Sequence, residues 1–511
     1  DEQLTLSAAK SRGLAVGYAP LLLALASALL YAIHLDRPPH PDELYHILAA
    51  RGLLESGEPR IAEGLYPRAY AMTWIVAQSF RLFGESLAVA RLPSLIATVL
   101  LVVVLFLWVR REAGETAAWL AAGLYAVSPF AVLIAQFCRP YALQALAVTL
   151  GLWLIFTLFS GDERWQGRLW RAVAAALLFA FATLLQVTTL LGLAALACWA
   201  GPVLLWRLLA HPSLSTSQRF LCIVGLGVLA GAALIAAGAS GLMGELWRQY
   251  RTVPLFNAEN QNAFWFYHFW YLLFYPALWP AVGVLALLAW SNRLVFGSFV
   301  TVIFAAAFVL NSFAGPKNLR YIAYAQPLLF VIWGMGLAAL LPALRGFAAR
   351  LQAQLGKSLA FLGRYAPSAA GLFVSLALLL LVLINPFWLR TAAMLADWPL
   401  PGEQPSSDCR LAARHLAPLL EKVTVVVDAE ELAPLYFLGR HDILFSPSKF
   451  GELPPDRRQQ FGRDVRTGRP VISSLEALAR VLQCYESGLF VAEEARLGKA
   501  HSLSLEVLLL L

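Results

Sequence analysis

Eleven stretches of mainly apolar residues, each about 20 long, pace the first 388 positions of the chain. They lie at 14–35, 88–109, 116–136, 141–160, 171–188, 190–209, 219–241, 266–290, 294–313, 321–344 and 367–388. A helix needs roughly 20 such residues to cross about 30 Å of hydrocarbon, so the succession predicts a polytopic α-helical membrane protein. A soluble chain could not hide this much apolar surface: 59% of the 511 residues are hydrophobic and 14% charged, against roughly 25% charged in soluble domains, whose cores stop growing near 250–300 residues. Disorder and a disulfide-stapled scaffold are excluded by the same figures.

The formal charge of +8 does not point to nucleic acid. From Arg390 onward 14 basic residues face 16 acidic ones, so the excess, 25 basic against 15 acidic, sits in the first 389 positions. With Lys10 and Arg12 cytoplasmic, alternate loops bring Arg110 and Arg111; Arg164, Arg168 and Arg171; Arg207 and Arg219; Arg293; and Arg345, Arg350, Lys357 and Arg364 to the same side. The positive-inside rule explains that pattern without any partner. Eleven crossings put the C-terminus outside. The stretch 69–83 is short and broken by Gln78 and Arg81, and reads as a helix at the interface. Ala26-Ser27-Ala28 looks like a cleavage site but lies inside an apolar run, so the first span reads as uncleaved.

After Trp388 the composition changes. A β-branched run at 423–428 leads to a helix from Glu430, a strand near Ile443–Phe445, Pro470-Val471-Ile472, a helix over Leu475–Leu482 and a strand over Leu489–Ala492. Alternating strands and helices predict a small α/β extracytoplasmic domain over 389–511, beside a membrane module over 1–388. Cys409 and Cys484 are candidates for a disulfide there.

On this topology the outer loops hold the chemistry. The first, 36–86, contains His40-Pro41-Asp42-Glu43-Leu44-Tyr45-His46. Pro41 followed by two carboxylates is a helix start, and capping alone would account for the pair. A carboxylate at the membrane face could equally serve as an acid/base group. His40, Asp42, Glu43 and His46 form a third option, a divalent-metal set, with Glu43 and His46 on one helical face. Cations also stand in outer turns: Arg68; Arg139 before Pro140 and Tyr141; Arg248 and Arg251 in a loop at 242–265; Lys317 and Arg320 before Tyr321. Snorkelling to lipid phosphates accounts for any one of them, but Arg at the neck of a bundle marks a substrate pathway and suits bidentate phosphate binding. Asn257–Asn262 precede an aromatic run from Phe264 that holds His268, a packed or interfacial histidine in a belt of rings.

These residues, with Glu55-Ser56-Gly57-Glu58, Tyr66-Pro67-Arg68, Leu82-Phe83-Gly84, Ala90-Arg91-Leu92-Pro93-Ser94, Arg139-Pro140-Tyr141 and Asn318-Leu319-Arg320-Tyr321 in order, resemble the integral-membrane GT-C glycosyltransferases that use polyprenyl-phosphate sugars. The nearest branch is that of protein O-mannosyltransferases and the lipid A aminoarabinose transferase. The resemblance covers about 36–345 and extends to Tyr436–Arg440 and Thr467–Ile472.

The resemblance implies an inverting transfer from a polyprenyl-phosphate-linked sugar donor to a hydroxyl on a lipid, glycan or protein acceptor. It assigns Asp42 as catalytic base with Glu43 beside it, and Arg68, Arg139, Lys317 and Arg320 to the donor phosphate. Arg139 departs from the aspartate that the aminoarabinose branch carries in that turn. Tyr66, Tyr141, Tyr321, His40, His46 and His268 are candidate substrate contacts, and Gln186 with Thr188 and Thr189 receives no role. No cofactor is required on this reading. A lipid-linked sugar flippase or transporter, and a glycan polymerase or ligase, stand as alternatives; against transport, the spans show no evident repeat and few midplane charges.

Overall fold

The computed structural model describes residues 18–160, 165–251, 264–315, 317–358, 366–398, 409–429, 432–446, 461–464, 466–492 and 507. Lys10, Arg12, Arg164, Asn257–Asn262, Arg364, Glu430 and Glu431 lie outside them. The helices are α1 (Tyr18–Ala32), α2 (Pro41–Ser56), α3 (Tyr70–Phe83), α4 (Leu87–Ala113), α5 (Glu115–Ala126), α6 (Pro129–Ala135), α7 (Tyr141–Ser160), α8 (Trp165–Leu185), α9 (Thr189–Ala210), α10 (Thr216–Ala239), α11 (Leu242–Arg251), α12 (Phe266–Phe274), α13 (Val282–Asn292), α14 (Leu294–Phe313), α15 (Gln326–Ser358), α16 (Ala366–Ile384) and α17 (Phe387–Leu395). A hairpin, β1 (Arg60–Ile61) with β2 (Gly64–Leu65), interrupts the first loop, and a 3₁₀ turn at Leu319–Ile322 precedes α15.

This is a multi-pass helical membrane fold. Among the described residues six helices are long and apolar enough to cross a bilayer, or eight if two bent pairs each count once. Several expected spans are cut differently. The stretch 116–136 breaks by 59° between α5 and α6. There Ser128 caps the amide of Ala131 and Pro129 opens a new first turn, so the helix restarts instead of continuing. The expected span at 266–290 becomes two short helices, because Pro276 and Pro280 lie in the connection and neither has an amide hydrogen to give the ladder. Residues 242–251 are helix α11 rather than loop. Helix α3 has 14 residues, about 21 Å, too short for a crossing.

Small residues let the bundle close. Gly334 of α15 lies against α5 so tightly that a Cβ there would meet the Ala121 nitrogen at 2.6 Å, the kind of backbone approach that holds membrane helices together by contact. Trp108, Trp333 and Phe330 fill the centre, fully buried.

Beyond α17 come α18 (Cys409–Leu420), β3 (Val425–Asp428), α19 (Ala433–Leu438), β4 (Ile443–Phe445), β5 (Phe461–Arg463), β6 (Pro470–Ile472), α20 (Leu475–Cys484) and β7 (Gly488–Val491). The strands form one sheet in the order β5-β6-β4-β3-β7, parallel except for β5. No disulfide joins Cys409 to Cys484. The sheet unit packs on the first loop: Leu432 and Leu435 share a core with Leu44, Ile47 and Leu48 of α2.

Candidate functional site at the start of α2

His40 caps α2 in a reciprocal box. Its Nδ1 accepts the Asp42 amide at 3.1 Å, and its own amide donates to Glu43 Oε2 at 2.9 Å. This closes the first turn and fixes two neighbouring carboxylates in different directions.

Glu43 points inward. Its Oε1 accepts from Arg91 Nε and the Cys138 amide, both at 2.8 Å; its Oε2 accepts from Arg91 Nη2 at 2.7 Å and from His40. All four lone-pair positions are thereby filled. Burial pushes this carboxyl up, but Arg91 and the two amides outweigh it and hold Glu43 below its ordinary value. Arg91 also donates to the carbonyls of Leu35 and Arg37 at 2.8 Å. One buried guanidinium therefore ties the entry of α2 to α4. Glu43 is therefore a brace between α2 and α4.

Asp42 points the other way. Its Oδ2 meets Arg320 Nη2 at 2.6 Å, and no hydrogen bond is made to Oδ1 among the described residues. Arg139, 7% exposed, donates from Nη1 to the Asp42 carbonyl at 3.2 Å and to the Tyr66 hydroxyl at 3.1 Å. Burial raises the Asp42 pKa, but Arg320, Arg139 and His40 outweigh it and leave it below the ordinary value; the group is a carboxylate at neutral pH. The Arg320 guanidinium lies 5.5 Å from the Phe137 ring, 5.9 Å from Tyr141 and 5.7 Å from Tyr321. The Nε of Arg139 and that of Arg320 are buried without an acceptor among the described residues. Two guanidiniums beside one carboxylate leave this corner of the fold with a net positive charge.

The structure thus gathers Asp42, Arg139, Arg320, Tyr66, Tyr141 and Tyr321 from four segments, with His40 at the edge. His46 sits just behind: its Nδ1 is 2.9 Å from the Thr73 hydroxyl and its ring packs edge-on to Tyr66. Burial, with Arg139 and Arg68 adding to it, drives its pKa well down, so it is neutral. Arg68 is exposed and touches the cluster only through that charge. Lys317 turns back to donate to the Ala314 carbonyl at 2.6 Å, and burial lowers its pKa. His268 lies apart, accepting from Trp279 Nε1 at 3.1 Å within the aromatic lattice. Gln186 is buried, while Thr188 and Thr189 bond Gln144.

The metal set does not assemble. Glu43 is saturated, His46 faces Thr73, Asp42 faces Arg320, and no group of three His, Cys, Asp or Glu side chains converges among the described residues. Arg91 carries no role in the sequence reading. Its signal is a charge early in the apolar run 88–109, where a cation requires a buried partner.

A family model described as dolichyl-phosphate-mannose-protein mannosyltransferase matches residues 68–235, about a third of the chain. No curated protein matches by sequence. Among solved structures, ArnT from Cupriavidus metallidurans bound to undecaprenyl phosphate is 18% identical, with 83% of this chain and 85% of that one covered and a TM-score of 0.56. Its apo form is 16% identical, 91% of each chain is covered, and the TM-score is 0.55. The archaeal oligosaccharyltransferase AglB from Archaeoglobus fulgidus, in complex with an inhibitory peptide and a dolichol-phosphate, is 13% identical with a TM-score of 0.52; 83% of this chain is covered but only 60% of AglB. The fold is shared with these solved structures.

Proposed function

We propose that the chain is an inverting glycosyltransferase that moves a sugar from a polyprenyl-phosphate donor to an acceptor hydroxyl at the outer face of a bacterial inner membrane. The carrying observation is the Asp42 carboxylate, one oxygen uncommitted, set between two arginines with spare buried donors. The segregation of basic residues into alternate loops supports the outer placement. On this reading residues 1–388 carry the chemistry and 389–511 form the outer unit.

The acceptor oxygen attacks the anomeric carbon, and the bond from that carbon to the phosphate oxygen breaks. The electron pair leaves with the polyprenyl phosphate, and Asp42 takes the hydroxyl proton. A single displacement inverts the anomeric centre. Arg139 and Arg320 stabilise the phosphate as it gains charge, an interaction stronger in the transition state than before it. Donor phosphate and Asp42 compete for the same Arg320 guanidinium, so donor binding loosens the ion pair and raises the basicity of Asp42 when a base is needed.

The test uses purified full chain in nanodiscs with undecaprenyl phosphate bearing labelled hexose or aminopentose, and lipid, glycan and peptide acceptors. Label passing to an acceptor with inversion, and lost in Asp42→Asn at unchanged melting temperature, is the expected result. An active Asp42→Asn variant would sink the reading. Movement of donor across liposomes without transfer would replace it by transport.

A further inference from the structure

Between β5 and β6 the outer sheet unit meets the first loop at a turn that includes Asp464 and residues 466–469. Asp464 shapes this turn by accepting the Thr467 hydroxyl at 3.0 Å and the Gly468 amide, on its carbonyl, at 2.7 Å. Gly468 has φ +71°, a conformation that glycine adopts without strain. The turn grips the β1–β2 hairpin: the Thr467 carbonyl accepts the amides of Glu63 and Gly64 at 3.0 and 2.9 Å, and Arg469 Nε meets Glu63 Oε2 at 2.6 Å. Gly64 lies so close that a Cβ on it would come within 2.2 Å of the Arg466 carbonyl oxygen.

From the same turn Arg466 donates to the Tyr45 hydroxyl, its guanidinium 4.8 Å from the Tyr45 ring centroid. Tyr45 stacks on Tyr66, centroids 5.3 Å apart and planes at 20°. Tyr66 follows β2 directly and accepts Arg139 Nη1. The turn therefore holds Tyr66 twice, through the ring stack and through the hairpin backbone. Tyr66 in turn sets the direction of a nearly buried guanidinium, which has few other acceptors to orient it.

We infer that Arg466 is a positioning residue: through Tyr45 and Tyr66 the outer unit aims Arg139 at the phosphate of the lipid donor. This rests on the proposed role of Arg139. It makes the outer unit part of the machinery for phosphate binding rather than a passive cover.

The test measures equilibrium binding of undecaprenyl phosphate to the full chain in nanodiscs, together with melting temperature. Arg466→Met and Gly64→Ala are expected to weaken binding roughly fivefold to tenfold, the scale of a misdirected charged donor, while Arg466→Lys stays within about twofold. Val481→Ala, in the core of α20, is expected to lower the melting temperature and leave binding unchanged. Unaltered binding in Arg466→Met, or equal weakening in Val481→Ala, would overturn the inference. Absence of binding by the unmodified chain would instead overturn the proposed function from which it starts.

Discussion

Asp42 and Glu43 are adjacent, share one helical turn and carry the same functional group, yet the two faces of that turn have opposite surroundings. On the Glu43 face, Arg91, the Cys138 amide and the His40 amide consume every acceptor position, and the side chain is 2% exposed. On the Asp42 face, Arg320 takes one oxygen, the side chain is 28% exposed and the neighbouring arginines keep unused donors. Saturation gives rigidity, whereas an incomplete hydrogen-bond complement leaves room for substrate. The first face holds the second in place, because the same Arg91 also fixes the carbonyls of residues 35 and 37.

The comparison breaks most sharply by exchanging charge for amide on the open face. Asp42→Asn removes the base and keeps the shape, so sugar transfer is expected to fall by about 10³-fold or more with the melting temperature unchanged. If transfer survives there and fails in Glu43→Gln without loss of stability, the two faces have been assigned the wrong way round.

Breaking the closed face acts on the fold instead. Arg91→Ala leaves Glu43 buried without its cation, a change that costs about 3–5 kcal/mol in such pairs, read as a large drop in melting temperature or as failure to accumulate. Acid gives the same result more gently. The folded pKa of Glu43 is depressed, so its contribution is present above the ordinary glutamate value of about 4.3 and is lost as pH falls through the lower folded value. The melting temperature of Glu43→Gln is expected to be lower than that of the unmodified chain at pH 7, and less sensitive to pH below about 4.

How far the sequence led follows from how local each signal is. The strands at 443–445 and 470–472 lie where short apolar runs between turn residues placed them, because a buried strand is marked by a short local run of apolar residues. The small strand Phe461–Arg463 and helix Cys409–Leu420 were not anticipated; the former owes its existence to pairing with β6, a contact distant in sequence. The breaks at 127–128 and 275–281 are written as Ser-Pro and paired prolines, but the high hydropathy around them hides the punctuation. In the site, Asp42, Arg139 and Arg320 were legible as charges in the connections between apolar runs. What was not legible is partnership: nothing in the residues 42 and 43 says which one meets Arg91 and which one meets Arg320. Likewise His268 and Lys317 resemble site residues in type and place, and only packing shows that one belongs to Trp279 and the other to its own turn.

Arg320→Gln sharpens the open face by separating its two electrostatic roles. Loss of one positioned donor to the leaving phosphate is expected to lower transfer by about 10²-fold. The acid limb of kcat/KM also moves. Arg320 is the strongest influence holding Asp42 down, so without it the Asp42 pKa rises and the fall in rate on acidification begins at a higher pH. An unshifted limb would mean that the titrating base is another group.

The smallest expected effect is that of a chelator. A divalent ion near Asp42 would have to displace Arg320 from Oδ2 and sit beside Arg139 as well, with two guanidiniums opposing its charge. Glu43 offers it no lone pair, and His46 is turned to Thr73. EDTA treatment is therefore expected to leave transfer within about twofold of the untreated enzyme. If transfer collapses and is restored by magnesium or manganese, the Arg320–Asp42 pair describes a resting arrangement that a cation replaces, and the open face needs a metal rather than an arginine to complete it.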